Sequence, residues 1–172
     1  IRNGQMAGMA VVACPSSGFR KRVLEAKRAK EEEPSKINHH LLTKGLHPIS
    51  TPSGLQYTIL REGAGARAVA GDSVEVNYTA SFLNGKIFET TDEALARQAG
   101  VFQLGNSYQP LTLQVKSDGP LSGFEECMGL FPKGTKAQLI IPSRLAYGEN
   151  GHGRIHPYTP LLCTIEILDI KR

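Results

Sequence analysis

The sequence predicts an α+β domain, an antiparallel β-sheet wrapped on one short helix, behind a helical N-terminal extension. Several segments alternate apolar and polar residues with the period of half-buried strands. Gly and Pro are plentiful (18 and 10) and aromatics few (six Phe, five Tyr, no Trp), the usage of a turn-rich fold and not of a helical bundle. At 172 residues, with 40% hydrophobic and 21% charged, the chain suits one globular domain plus an extension. Wholesale disorder and an integral membrane protein are both disfavoured.

Residues 1–14 read as a signal-like segment. The apolar stretch Met6 to Ala13 follows Arg2 and ends at Cys14, and Val11-Val12-Ala13-Cys14 resembles a bacterial lipobox, which makes Cys14 a candidate lipidation site. The chain opens on Ile1, which fits a precursor short of its first residues. Residues 15–50 read as a basic helical linker, with Phe19, Val23 and Ala26 forming a thin apolar stripe from Phe19 to Glu33. Pro34 should break this helix, because it lacks an amide hydrogen and crowds the preceding turn. Ser35 then caps a second helix reaching about Lys44, stopped by Gly45. A solvated spacer is the favoured reading of these helices, with a homodimerisation arm as the alternative.

Residues 51–172 form the domain. Leu55, Tyr57 and Ile59 alternate as a strand, as do Val74, Val76, Tyr78 and Ala80. Asn84-Gly85 marks a hairpin. Asp92 to Gln98 reads as a short helix with acidic residues in its first turn, followed by a strand through Leu111, Leu113 and Val115. Gly119-Pro120 opens the next helix, which puts Leu121, Phe124 and Met128 on one face. The last strands are Ala137 to Ile141 and Leu161 to Ile170, joined by a Gly- and Pro-rich segment.

The net charge of +4 first suggests a polyanionic partner. Residues 1–50, however, hold nine Lys or Arg and four Glu, so the basicity belongs to the extension, and the remainder carries −1. No aromatics interleave with the basic run, and nucleic acid is therefore not expected as a partner. A Walker loop, a nucleophile elbow, HExxH and a complete dinucleotide fingerprint are all missing. His39 and His40 are adjacent and cannot share a helix face as ligands, and His152 and His156 lie in a loop without a Cys pair, so neither metal nor cofactor is expected. Cys14, Cys127 and Cys163 show no CxxC spacing, and a Cys127 to Cys163 disulfide is left open.

The domain carries an ordered series of segments: Val76-Asn77-Tyr78-Thr79, Asn84-Gly85-Lys86-Ile87-Phe88-Glu89, Pro120-Leu121-Ser122-Gly123-Phe124-Glu125-Glu126, Ile141-Pro142, Leu145-Ala146-Tyr147-Gly148 and Pro160-Leu161. In these it resembles the FKBP-type peptidyl-prolyl cis-trans isomerases. Thr51 to Tyr57 is similar to the entry of the secreted, macrophage infectivity potentiator-like branch.

The resemblance implies a strongly twisted antiparallel sheet curved around one short helix, with an apolar pocket between them that takes prolines of client chains. Tyr78 and Phe88 would be its walls, Phe124 its floor, and Leu121 a backbone amide donor with Pro120 beside it. Tyr147 would offer its hydroxyl, and His152 and Ile155 would flank it. Tyr147, Tyr78 and Glu89 are the implied catalytic residues, and the rest bind substrate.

Departures from the family pattern fall at Glu89, usually Asp, whose extra methylene is expected to disturb its hydrogen bond to Tyr78 or to a ligand. Leu111 and Cys163 replace pocket aromatics and Phe124 replaces Trp, which implies a roomier pocket. An insertion at about 91–109 lies beside the expected rim.

The resulting reading is an isomerase, with no cofactor, acting on unfolded or newly exported proteins on the periplasmic side of a bacterial envelope. It carries a lipid anchor and has potential affinity for macrocyclic inhibitors. A client-holding chaperone with weak or no turnover and a cytoplasmic location remain the alternatives.

Overall fold

The computed structural model describes residues 17–116 and 122–172. Cys14, Pro120 and Leu121 lie outside the described residues. The chain begins with helix α1 (Ser17–Lys44), followed by strands β1 (Ile49–Ser50), β2 (Gln56–Arg61), β3 (Ser73–Phe82) and β4 (Ile87–Thr90). Helix α2 (Glu93–Gln98), β5 (Leu111–Gln114), helix α3 (Gly123–Leu130), β6 (Lys136–Ile141), a short 3-10 turn (Ser143–Leu145) and β7 (Leu161–Lys171) complete it.

The seven strands form one antiparallel sheet in the order β1-β2-β6-β7-β3-β4, and β5 also pairs with β3. Ten-residue β3 shares one edge between two partners: β5 opposite Ser73 to Val76, and β4 opposite Thr79 to Ser81. The chain between those partners, including α2, is therefore held at the sheet edge.

Alternation along the strands decides which face is buried. Leu139 and Cys163 pair across β6 and β7, Tyr78 and Ile165 pair across β3 and β7, and all four side chains join the core. Helix α3 lies against this face with Cys127 and Met128 buried. Its start is set by Ser122, whose hydroxyl accepts from the Glu125 amide while the Glu125 carboxylate accepts from the Ser122 amide, a capping box. The observed helix thus begins at Gly123, later than the sequence suggested. A side chain at Gly123 would put its Cβ 2.7 Å from Cγ2 of Ile141, so glycine lets the helix approach the sheet.

At the β3–β4 connection, the Phe82 amide donates to the Lys86 carbonyl at 3.0 Å and Gly85 takes φ +86°, which closes the expected hairpin. Asp92 caps α2 by accepting from the Leu95 amide.

Pro34 does not end the first helix: α1 is continuous from Ser17 to Lys44. The reason is tertiary. Beyond Pro34, Ile37 and His40 are buried against the domain, and just before it the Glu33 carboxylate accepts two hydrogen bonds from Ser143. Packing on this scale outweighs one missing intrahelical bond. The solvated-spacer reading accordingly fits only the first half of α1, where Phe19, Val23 and Leu24 are exposed. Gly45 ends the helix as expected, at φ +61°, with its amide on Leu42 and the Leu46 amide on Leu41.

Candidate functional site

β3 and β7 place Ala80 directly opposite Cys163. Both are small, buried side chains. A cavity of about 320 Å³ opens above them, bounded by β3, β4, β5, α3 and the loop after β6. It lies at the small end of ligand-sized pockets, roughly 300–1,000 Å³.

Tyr78, Phe88 and Phe124 form aromatic walls, with the Tyr78 and Phe124 rings edge to face at 5.2 Å. Cys163, only 2% exposed, belongs to the floor, and Leu111, 36% exposed, to the rim. Tyr147, Glu89 and Ser122, the last not singled out in the sequence, complete the polar part of the lining.

Seven of the predicted site residues thus meet in one cavity. His152 does not line it but stacks on the Tyr147 ring at 5.4 Å, while Ile155 is buried in the core. Their amides and carbonyls bond to each other, forming the turn behind Tyr147. The cavity also uses Ile141, Leu145, Ala146 and Leu161, which had not been singled out as site residues. Leu145 and Ala146 precede Tyr147 directly, and their position was the available signal.

The extra methylene of Glu89 does not break its bond to Tyr78. The Tyr78 hydroxyl donates to Glu89 Oε1 at 2.7 Å, so the longer side chain still fixes the ring. Burial first, then this bond and the Glu89 charge, pushes the Tyr78 hydroxyl well above its usual range. Burial and then the same carboxylate also raise Tyr147. Both hydroxyls therefore stay protonated donors near neutral pH.

Cys127 and Cys163 are free buried thiols. Burial, followed by the Glu89 charge, pushes Cys163 up to about 12, and burial raises Cys127 as well. A thiol so shifted is a poor nucleophile. An unfolded thiol titrates near pH 8.5, so the folded form holds these protons where the unfolded chain releases them. The contribution of these thiols to stability should be unchanged up to about pH 8.5 and then be lost progressively toward pH 12. Urea midpoints across this range are the check: Cys163→Ala should flatten the decline, and a native midpoint constant to about pH 11 would contradict the assignment.

A larger groove, about 850 Å³, runs between α1 and the segments around Phe82 and Tyr158, and contains none of the predicted site residues. Among the described residues, no helix is long and apolar enough to cross a membrane.

A family model described as FKBP-type peptidyl-prolyl cis-trans isomerase matches residues 65–168. The FKBP-type 22 kDa peptidyl-prolyl cis-trans isomerase of Escherichia coli is 36% identical over 122 residues, covering 70% of this chain and 52% of that protein. The outer membrane protein MIP of Legionella longbeachae is 31% identical over 155 residues, 88% of this chain and 60% of that one. The chain spans about half the length of such curated relatives. Among solved structures, a peptidyl-prolyl cis-trans isomerase from Pseudomonas syringae superposes with a TM-score of 0.66 at 28% identity, covering 86% of this chain and 96% of that one. FkpA from Escherichia coli superposes at 0.65 with 26% identity, covering 90% and 68%. With the family's sequence match laid over the same sheet, helix and cavity, this chain belongs to the FKBP-type peptidyl-prolyl cis-trans isomerases.

Proposed function

We propose that the chain accelerates cis–trans isomerisation of X-Pro bonds in protein clients, with the cavity over Ala80 and Cys163 as its site. The observation that carries this reading is the joining of aromatic walls to a small set of protonated hydroxyl donors in one apolar cavity.

The reaction needs no nucleophile. Rotation about the amide meets a barrier of roughly 18–20 kcal/mol because resonance is lost, and no σ-bond breaks. A twisted amide has less carbonyl dipole than a planar one and is less penalised by leaving water. A mostly apolar pocket therefore binds the twisted form preferentially, and each ~1.4 kcal/mol of that preference is worth tenfold in rate. In this scheme Phe124 and Phe88 hold the prolyl ring, and Tyr147 donates to a client carbonyl. Glu89 holds Tyr78 in place, and the backbone amide of Leu121 is the donor to a client carbonyl that the family resemblance implies.

The finer parts of the reading are a lipid anchor at Cys14, residence on the periplasmic side of the envelope, and clients that are newly exported or unfolded. Pairing of two copies through α1 and binding of macrocyclic inhibitors belong with them. One relative's name, an outer membrane protein, and the lipobox-like residues support the envelope setting. Intact mass of envelope-purified protein tests the anchor: residues retained ahead of an unmodified Cys14 would rule it out.

A holding module without turnover is the second reading, favoured by Leu104, 95% exposed in a turn within residues 91–109. A protease-free peptide assay separates the two. The native chain should exceed the buffer rate, and Tyr147→Phe should lose about three- to tenfold, the scale of one hydrogen bond. A native chain that matches buffer yet suppresses aggregation of unfolded clients would favour the holding module.

A further inference from the structure

Helix α1 reaches the loop that carries Tyr147 at two points. At the first, Ser143 opens the 3-10 turn behind Pro142, a residue that supplies no side-chain cap. Ser143 is 3% exposed, and its amide and hydroxyl would both be buried donors in need of acceptors. Glu33 provides them: Oε1 accepts from the amide at 2.6 Å and Oε2 from the hydroxyl at 2.7 Å. The Ser143 carbonyl in turn accepts from the amides of Ala146 at 2.9 Å and Gly148 at 2.8 Å, the two neighbours of Tyr147.

At the second point, Lys30 Nζ sits 5.7 Å from the centre of the Tyr158 ring. Tyr158 has φ +55°, a left-handed backbone that a side chain disfavours and that persists only where surroundings hold it. Its amide donates to the Gly148 carbonyl at 2.9 Å. Gly148 is therefore tied from both sides to residues that α1 grips, one helical turn apart.

We infer that Glu33 is a positioning residue for the isomerase site, and that α1 fixes the Tyr147 loop through it. A carboxylate satisfying both donors of one buried serine makes charge-assisted bonds, which are stronger than neutral ones. Without it the 3-10 turn keeps its sequence but loses its anchor, and the Tyr147 hydroxyl is spread over more positions. This inference rests on the proposed function for its consequence in catalysis, though not for its structural content.

The test uses the full chain with amide hydrogen exchange measured by NMR, alongside peptide isomerisation. Glu33→Ala should speed exchange at Ala146 and Gly148 by at least about tenfold, the lower end of the scale for losing a hydrogen bond to a charged group, and leave Ile165 in the central strand unchanged. kcat/KM should fall by a comparable factor. Glu33→Gln, which keeps one acceptor oxygen, should fall between native and Ala in both readouts. Native-like exchange at Ala146 and Gly148 in Glu33→Ala overturns the inference. So do equal losses at Ile165, unchanged kcat/KM beside a loosened loop, or a Gln variant no better than Ala. A native chain without isomerase activity would instead sink the functional reading, and the exchange rates would still decide whether Glu33 anchors the loop.

Discussion

Phe124→Ala should lower kcat/KM for X-Pro isomerisation about a hundredfold while leaving the chain folded, a loss of roughly 2.7 kcal/mol of transition-state binding. The ring is half-buried, meets Tyr78 edge to face and lines the cavity, so its removal widens the cavity and admits water beside the reacting amide. Water restores the preference for the planar amide. The stability cost should be about 2–3 kcal/mol, below the usual range for a buried Phe because part of the ring faces the cavity. Kinetics with a prolyl peptide and a urea melt on the same sample separate the two effects. A variant within threefold of native would show that the prolyl ring does not rest on Phe124.

Leu139→Ala should have the largest effect on stability, about 3–4 kcal/mol. Leu139 is fully buried in the middle of β6, between Tyr57 on one neighbouring strand and Cys163 on the other. Three strands hold its surroundings in register, so the space left behind cannot close by a local shift. Denaturant unfolding is the measure; a loss under about 1.5 kcal/mol would mean the core relaxes around the gap.

The sheet was legible because one face is buried, which writes a period of two into much of β3 and β7. Asn84-Gly85 and Asp92 act through local backbone chemistry, and both did what their residue types dictate. Pro34 misled because its local penalty is real but is outweighed by contacts from more than a hundred residues away, which no window of sequence contains. Two-residue β1 and the 3-10 turn at Ser143 are too short to show a period.

The site divides in a similar way. Tyr78 and Phe124 sit at positions any core would use, and only their order within the family's segments singled them out. The effect of Glu89 depended on whether a longer side chain could still reach Tyr78, a matter of distance, and it does. His152, expected on the loop flanking the cavity, stacks on Tyr147, and its backbone closes a turn with Ile155. The role of α1 was not legible, since Glu33 is one of three consecutive glutamates and nothing local separates it from the others.

The central claim, that this cavity binds a twisted prolyl amide and so speeds its rotation, is tested most directly by NMR exchange between cis and trans signals of a Leu-Pro peptide at equilibrium. The exchange rate should rise in proportion to added native chain and lose nearly all of that increase with Phe124→Ala. A rate that stays at the buffer value, whatever the amount of native chain, would contradict the account.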